Sequence, residues 1–375
     1  MKVLLVGNYE FDGSTSMKVW ADTLLRELRQ RGIDVHPIAP RPFFGKLKPS
    51  AHGLGKWLGY IDRFVIFPRK LRAEAARAHI VHLCDHGSAV YVSALKGTPV
   101  VVTCHDMIGV RRALGELPEL RSSPFGQFQQ RSICRGLSSA SRVACVSRAT
   151  FDDARRILGD EKNLRIVLNG LNRPFQPLAP GEADRRLADS KVTEAPFVLH
   201  LGSNVPYKNR GGVLRIFAKA AAKTSLQLVI AGEALDRNLT RLARELQIED
   251  RIVQLVKPGV GLIEALYNRA ACLLFPSRYE GFGWPPIEAQ ACGCPVVASD
   301  IPPLLEVLGQ SAVLKPVQDE AGMAEAVVRL AVDPEYRKQM QQRGLENVRL
   351  RFQTSRMMDE YMALYRELAV ASETP

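Results

Sequence analysis

No stretch of the 375 residues reaches the roughly 18 uninterrupted apolar residues that a membrane-spanning helix needs. The opening Met1 to Gly7 is too short for a signal-peptide core and is expected to form a first strand instead. The loop after it lacks Gly-x-Gly-x-x-Gly: Gly7 and Gly13 have five residues between them, which removes the main support for a nicotinamide-dependent enzyme. Cysteine is sparse and odd in number, seven residues mostly within apolar runs, so no disulfide framework is expected and a reducing, cytoplasmic setting fits. No second Cys or His pair lies at zinc-finger spacing to complete a site with the histidines near residue 80, and no RNP-like or helix-turn-helix signature is present, which disfavours a nucleic-acid partner.

What is present is ordinary globular composition, 46% hydrophobic and 24% charged, long enough for two α/β domains. The net charge of +12 is lopsided. Residues 1–190 hold 29 Lys and Arg against 18 Asp and Glu, whereas 191–375 hold 22 against 21. A basic half attracts nucleic acid, an anionic membrane surface or phosphorylated substrates, and charge alone does not choose among them.

Both halves repeat one rhythm of short Val/Ile/Leu runs followed by amphipathic stretches, the pattern of parallel sheets wrapped by helices. Strands are expected at 2–7, 33–38, 79–84, 99–104, 141–146 and 164–168, then at 197–201, 227–231, 251–255, 272–275, 295–298 and 312–314. Residues 172–195, with Pro174, Pro177, Pro180 and Gly181, read as a linker. The expected domains are therefore 1–180 and 190–350, each Rossmann-like, with 351–375 as a helix returning to the first. Residues 41–72 break the rhythm by interleaving Lys and Arg with Phe43, Phe44, Trp57, Tyr60, Phe64 and Phe67. Two readings stand side by side: a segment lying on a bilayer, or helices covering the sheet with their aromatics in the core.

Four loops follow strands at their carboxyl ends, where such sheets bind ligands. In Phe275-Pro276-Ser277-Arg278-Tyr279-Glu280-Gly281-Phe282-Gly283-Trp284-Pro285-Pro286-Ile287-Glu288-Ala289, a glycine turn leads into a helix opened by prolines, whose N-terminus suits an anion. In Leu201-Gly202-Ser203-Asn204-Val205-Pro206-Tyr207-Lys208-Asn209, a lysine closes the loop. His105-Asp106 follow the run Val100 to Cys104. Gly13, Ser14 and Thr15 lie in the first loop, either approaching a phosphate or acceptor or forming a turn capped by Ser16. The His79-Ile80-Val81-His82-Leu83-Cys84-Asp85-His86 cluster invites a metal reading, but strand alternation sends neighbouring side chains to opposite faces. His86, at the strand end, is the member expected to face a ligand.

The Phe275 to Ala289 string resembles the Glu-x7-Glu motif of retaining glycosyltransferases of the GT-B fold, glycosyltransferase family 4 or group 1, in particular bacterial mannosyltransferases. The resemblance implies two Rossmann-like α/β domains whose parallel sheets face a cleft. It places Glu280 by the transferred sugar, Gly281, Phe282 and Gly283 at sugar or phosphate oxygens, and Glu288 on the nucleotide ribose. The Leu201 to Asn209 string is similar to the family's diphosphate loop, which makes Lys208 the cation on the leaving group. Ser203 stands where the family usually has an arginine, with Arg210 a candidate replacement. His105, in a stretch like the family's Thr-x-His-Asp, is implied to touch the donor sugar.

The implied donor-side set is thus Ser203, Asn204, Lys208, Asn209, Gly281, Phe282, Gly283, Trp284 and Glu288, with Glu280, Lys208 and His105 catalytic. Gly13, Ser14, Thr15, His86 and Asp106 form the acceptor side. No Asp-x-Asp occurs, the motif with which the other large glycosyltransferase fold holds its metal, so neither metal nor cofactor is expected. The implied reaction carries a hexose from a GDP- or UDP-sugar to a saccharide or lipid-linked acceptor with retention, in surface polysaccharide or glycolipid assembly. A peripheral position at the inner face of the cell membrane goes with it. Two rivals are a sugar-nucleotide epimerase, which needs no acceptor, and a non-catalytic relative that only binds nucleotide sugar.

Overall fold

Every one of the twelve apolar runs forms a strand. The computed structural model describes residues 1–13, 15–48 and 53–373, so Ser14 lies outside the described residues. The strands are β1 (Lys2–Val6), β2 (Asp34–Ile38), β3 (Ile80–Leu83), β4 (Val100–Cys104), β5 (Arg142–Cys145), β6 (Leu164–Ile166), β7 (Phe197–Gly202), β8 (Gln227–Gly232), β9 (Ile252–Val256), β10 (Cys272–Phe275), β11 (Val296–Ser299) and β12 (Val313–Lys315). They build two six-stranded sheets of order β2-β1-β3-β4-β5-β6 and β12-β11-β10-β7-β8-β9, with every pair parallel. Helices cover both faces of such a sheet, which is why its inner strands read as apolar runs, while the edge strands β2 and β9 keep exposed residues.

The chain divides into two units, Met1–Asn172 with Thr354–Pro375, and Arg173–Gln353. In the first, the helix Thr15–Gln30 buries Trp20, Leu24 and Leu28 completely, and Gly32 takes a left-handed φ of 72° just beyond its end. The later part of the basic and aromatic segment packs on the core, as the sheet-covering reading expects. A π-helical turn, Asp62–Ile66, leads into the helix Phe67–Ala75, whose Phe67, Leu71 and Ala75 join the core with Phe64 packed beside them. Phe43, Leu47, Leu54 and Trp57 stay exposed. Buried Asp62 fixes the entry to this segment, accepting hydrogen bonds from the amides of Phe43, Phe44 and Gly45 (3.0, 3.0 and 2.9 Å) and from the Tyr9 hydroxyl (2.9 Å). Burial would raise the Asp62 pKa, but these four donors hold it below the ordinary value.

The helix Thr354–Glu373 belongs to the first unit and closes its core. Its Tyr361 and Tyr365 are fully buried beside β3 and β4. There the Tyr365 hydroxyl meets His82 Nδ1 at 2.5 Å, His82 Nε2 meets Thr103 Oγ1 at 2.8 Å, and Thr103 meets the Tyr361 hydroxyl at 2.9 Å. Burial drives the His82 pKa down to about 3, so the ring is neutral and links two hydroxyls.

In the second unit, the stretch read as a linker contains a helix, Glu182–Leu187, tied to the helix Val260–Arg269 by Arg186 to Glu264 at 2.7 Å. Its apolar contacts come from Ala183 and Leu187 alone, too few to register as periodicity. All seven cysteines are free thiols.

Candidate functional site

In the second sheet the first strand of the unit, β7, lies between β8 and β10. The chain winds outward in opposite directions from β7, so the loops after β7 and β10 diverge and leave a crevice at the strands' carboxyl ends. Those two loops carry Lys208 and Glu280.

They are fastened to one another. The Arg278 amide donates to the Tyr207 carbonyl at 2.7 Å, and Asn209 Nδ2 donates to the Pro276 carbonyl at 3.0 Å. Lys208 Nζ then reaches Glu280 Oε1 at 2.6 Å, with the two side chains 17% and 9% exposed. A pair this sheltered is weakly screened, and one carboxylate oxygen uses one of the three ammonium protons. The ammonium also sits 5.1 Å from the centre of the Phe275 ring, whose face favours a cation.

The backbone at the crevice is shaped by glycine. Gly232, at the end of β8, has φ 122°, and a Cβ there would lie 2.2 Å from the Gly202 carbonyl oxygen. Gly283 has φ 110° and its Cβ would fall 2.7 Å from Leu304. The helix after it, Trp284–Ala291, has Pro285 and Pro286 in its first turn, so two of its leading backbone donors are missing. Phe282 is buried against Phe352, ring centres 5.8 Å apart, which leaves its backbone as the part able to face a ligand. Glu288 is buried, with the Tyr267 hydroxyl 3.2 Å from its Oε2.

Arg210 is 3% exposed and directs its guanidinium inward, to the carbonyls of Gly202 (2.6 Å) and Glu233 (2.7 Å) and to Asn204 Oδ1 (2.6 Å). It holds the loop's shape and is not positioned as a second cation for a bound diphosphate. Asn204 also donates to the Ala234 carbonyl at 2.7 Å, and Asn209 Oδ1 accepts from the Gly212 amide at 3.3 Å. Both asparagine side chains thus have partners within the protein. Ser203, half-buried, precedes this knot.

In the first sheet β1 lies between β2 and β3, so the same divergence occurs after β1 and β3. Gly13, in a left-handed turn, and Thr15, which opens a helix, belong to the first of these loops. His86 and Asp85 belong to the second. Asp85 accepts from Asn8 Nδ2 at 2.7 Å and from the Gly87 amide at 2.6 Å, with His86 Nδ1 3.6 Å away. Burial would lower the His86 pKa, but Asp85, Cys104 and Asp106 raise it to about 9, so the imidazole is a cation at neutral pH. His105 is buried, 2.9 Å from the Cys84 carbonyl through Nε2 and edge-on to Trp20 at 5.0 Å, and burial lowers its pKa. Asp106 caps the next turn by accepting from the Ile108 amide at 2.8 Å.

The histidines of the 79–86 cluster part ways: His79 meets the Lys2 amide, His82 faces Tyr365, and His86 faces Asp85. Among the described residues no group of three His, Cys, Asp or Glu stands as metal ligands would. Asn8, Asp85 and Tyr267 support these loops and were given no role by the sequence, whereas Arg210 was expected as a second cation and instead braces the loop. Asn8 and Asp85 lay inside strings already singled out, and strand ends at a point of chain reversal are the signal that could have found them.

Comparison with known proteins adds a family to this geometry. The family described as Glycosyl transferases group 1 matches residues 184–347, and Glycosyltransferase Family 4 matches residues 17–173. D-inositol 3-phosphate glycosyltransferase of Thermomonospora curvata is 30% identical over 305 residues, 72% of this chain and 68% of that protein. O-antigen chain mannosyltransferase B of Escherichia coli is 26% identical, covering 80% and 79%. N-acetyl-alpha-D-glucosaminyl L-malate synthase of Bacillus anthracis is 23% identical, and the chain spans 61% of its length. Among solved structures, sucrose-phosphate synthase of Thermosynechococcus elongatus superposes with TM-score 0.81 at 20% identity, over 99% of this chain and all of that one. HepE of Anabaena, solved with UDP and glucose, gives 0.76 at 18% over 98% and 100%. These likenesses place the fold, GT-B, where the sequence had put it.

Proposed function

The chain belongs to the group 1 glycosyltransferases, and from that premise we propose that it transfers a hexose from a GDP- or UDP-sugar to an acceptor hydroxyl with retention and without a metal. The observation that carries this reading is the Lys208–Glu280 pair, 2.6 Å apart, on cross-tied loops at the point of chain reversal in the second sheet.

In this reading Glu280 holds one proton of the Lys208 ammonium and leaves the others to a diphosphate oxygen. The bond between the anomeric carbon and the diphosphate breaks with its electrons passing to that oxygen. The acceptor hydroxyl bonds to the same face of the carbon, and its proton goes to the departing oxygen. Fixed positive charge and the amides of Gly281, Phe282 and Gly283 oppose the developing negative charge, as preorganised donors do elsewhere. Glu288, oriented by Tyr267, takes the ribose hydroxyls, and Trp284 and Ser203 line the donor. Asn204 and Asn209 act on the donor through the shape of the loop. His105, neutral, contacts the sugar, while His86, Asp106, Gly13 and Thr15 serve the acceptor. Surface polysaccharide or glycolipid assembly suits the basic first half, as does a peripheral place at an anionic membrane.

Incubation with a panel of GDP- and UDP-sugars and a saccharide acceptor, read by mass spectrometry and anomeric proton couplings, tests this. Acceptor-dependent product with the donor's configuration, undiminished by EDTA, is expected. Donor conversion without acceptor points to an epimerase instead, and abolition by EDTA overturns the metal-free mechanism.

A further inference from the structure

The point of chain reversal in the first sheet has a space beside it. A pocket of about 170 Å³ lies there, lined by Asn8, Tyr9, Asp12, Arg63, Asp85 and Tyr91 among others. Two buried atoms of its lining residues, Asn8 Oδ1 and Arg63 Nε, have no hydrogen-bond partner in the protein. A donor and an acceptor left in that condition are costly unless a ligand or water meets them.

Tyr91 also lines a second, larger space of about 660 Å³, a volume typical of ligand sites. Its walls are mostly apolar, with Phe64, Val90, Phe125 and Phe128, and Arg72 and Arg135 stand among them. Consecutive residues divide between the two spaces, Arg63 lining the polar one and Phe64 the apolar one. Aromatic rings lead from the surface inward: Trp57 to Phe125 at 5.1 Å, Phe125 to Tyr60 at 5.3 Å, Tyr60 to Phe64 at 5.4 Å, and Phe64 to Tyr91 at 6.4 Å. Trp57 is 55% and Phe128 62% exposed, so the outer end of this path is open to solvent.

We propose that the two spaces form one site for a lipid-linked, anionic acceptor: its hydroxyl-bearing end by Asn8, Asp12 and Asp85, its phosphate at Arg63, and its hydrocarbon chain along the Phe64–Phe128 groove. The identification as acceptor rests on the glycosyltransferase reading; the existence of the site does not. Three properties select this occupant. The polar pocket offers hydrogen-bonding groups of both kinds. A cation stands where polar and apolar linings meet. The arginines along the groove favour an anionic amphiphile over a neutral one.

Calorimetric titration with dodecyl phosphate below its micellar concentration, with no sugar nucleotide present, tests the site. Stoichiometric binding is expected, at least tenfold tighter than that of inorganic phosphate or neutral dodecyl glucoside. Ser132→Trp, which fills the groove, and Phe128→Ser, an exposed position that does not burden folding, should each weaken dodecyl phosphate at least fivefold. Arg63→Gln should remove the preference over dodecyl glucoside. Equal binding by wild type and both groove variants, or equal affinity for inorganic phosphate, overturns the proposal. Binding of UDP- and GDP-sugars by the same wild-type protein is titrated separately. Dodecyl phosphate binding without any sugar-nucleotide binding keeps the lipid site and overturns its assignment to an acceptor.

Discussion

Lys208 concentrates the chemistry in one side chain. Its removal takes a cation from the departing diphosphate, and Lys208→Ala is expected to lower kcat by about 100- to 1,000-fold, in line with loss of one preorganised donor elsewhere. Its melting temperature should fall by only a few degrees, because Glu280 keeps some contact with water. Lys208→Gln, which can still donate to Glu280, should recover the melting temperature and not the rate. Equal donor turnover by either variant removes the assigned role. Histidines set the pH response. His82 and His200, each pushed down to about 3, and His105, also lowered, owe this chiefly to burial. Below the ordinary value near 6.5 the unfolded chain binds protons that these folded rings refuse, so stability present above that pH is lost as pH falls. His86 works in the opposite sense: its pKa is raised, so its contribution is full below about 6.5 and disappears as pH rises through about 9. Thermal melts of His200→Gln and wild type across pH 4 to 7 check the first point, since the variant should gain on wild type as pH falls. These roles were only partly legible in the sequence. Glu280 and Lys208 sit in recognisable strings, whereas the Asn8 to Asp85 bond joins residues 77 apart and depends on which strands are neighbours. The inward turn of Arg210 depends on carbonyls of two different strand ends.

At the scale of elements, strands were legible because a buried parallel strand must be largely apolar, as Val100 to Val102 are in β4. The segment after β2 was not, because its turn depends on Asp62 gathering amides that lie 17 to 19 residues earlier. The glycine at the end of β8 shows how an element's end shapes a site. Gly232→Ala brings a Cβ against the Gly202 carbonyl and is expected to cost about 2–4 kcal/mol, from a strained φ and a backbone clash. Denaturant melts should show that loss, and a raised donor KM should accompany it because the Lys208 loop leaves from β7 beside it. The helix Thr354–Glu373 allows a paired comparison. Tyr365→Phe leaves His82 Nδ1 buried without its partner and should cost about 1–3 kcal/mol. Tyr361→Phe should cost less, since Thr103 keeps its bond to His82.

For the whole molecule, the decisive property is that the charge of +12 resides almost entirely in one half of the sequence. Exposed charges act over roughly 10 Å at 0.1 M salt and about 3 Å at 1 M. Flotation with vesicles containing phosphatidylglycerol should therefore bring the protein up at low ionic strength and lose it near 1 M salt. Neutral phosphatidylcholine vesicles should bring up little. Failure to float at low salt removes the membrane assignment and leaves the transferase reading intact.

The placement of Tyr361 and Tyr365 has a consequence for biogenesis. Residues 1–172 leave the ribosome first but lack the helix that seals their hydrophobic interior, whereas 173–353 can assemble as soon as they emerge. At about 5–20 residues per second, the nascent early portion waits on the order of ten seconds or more for its final helix. During synthesis, the unit that holds residues 1–172 is thus the later of the two to mature and the one in greater need of chaperones.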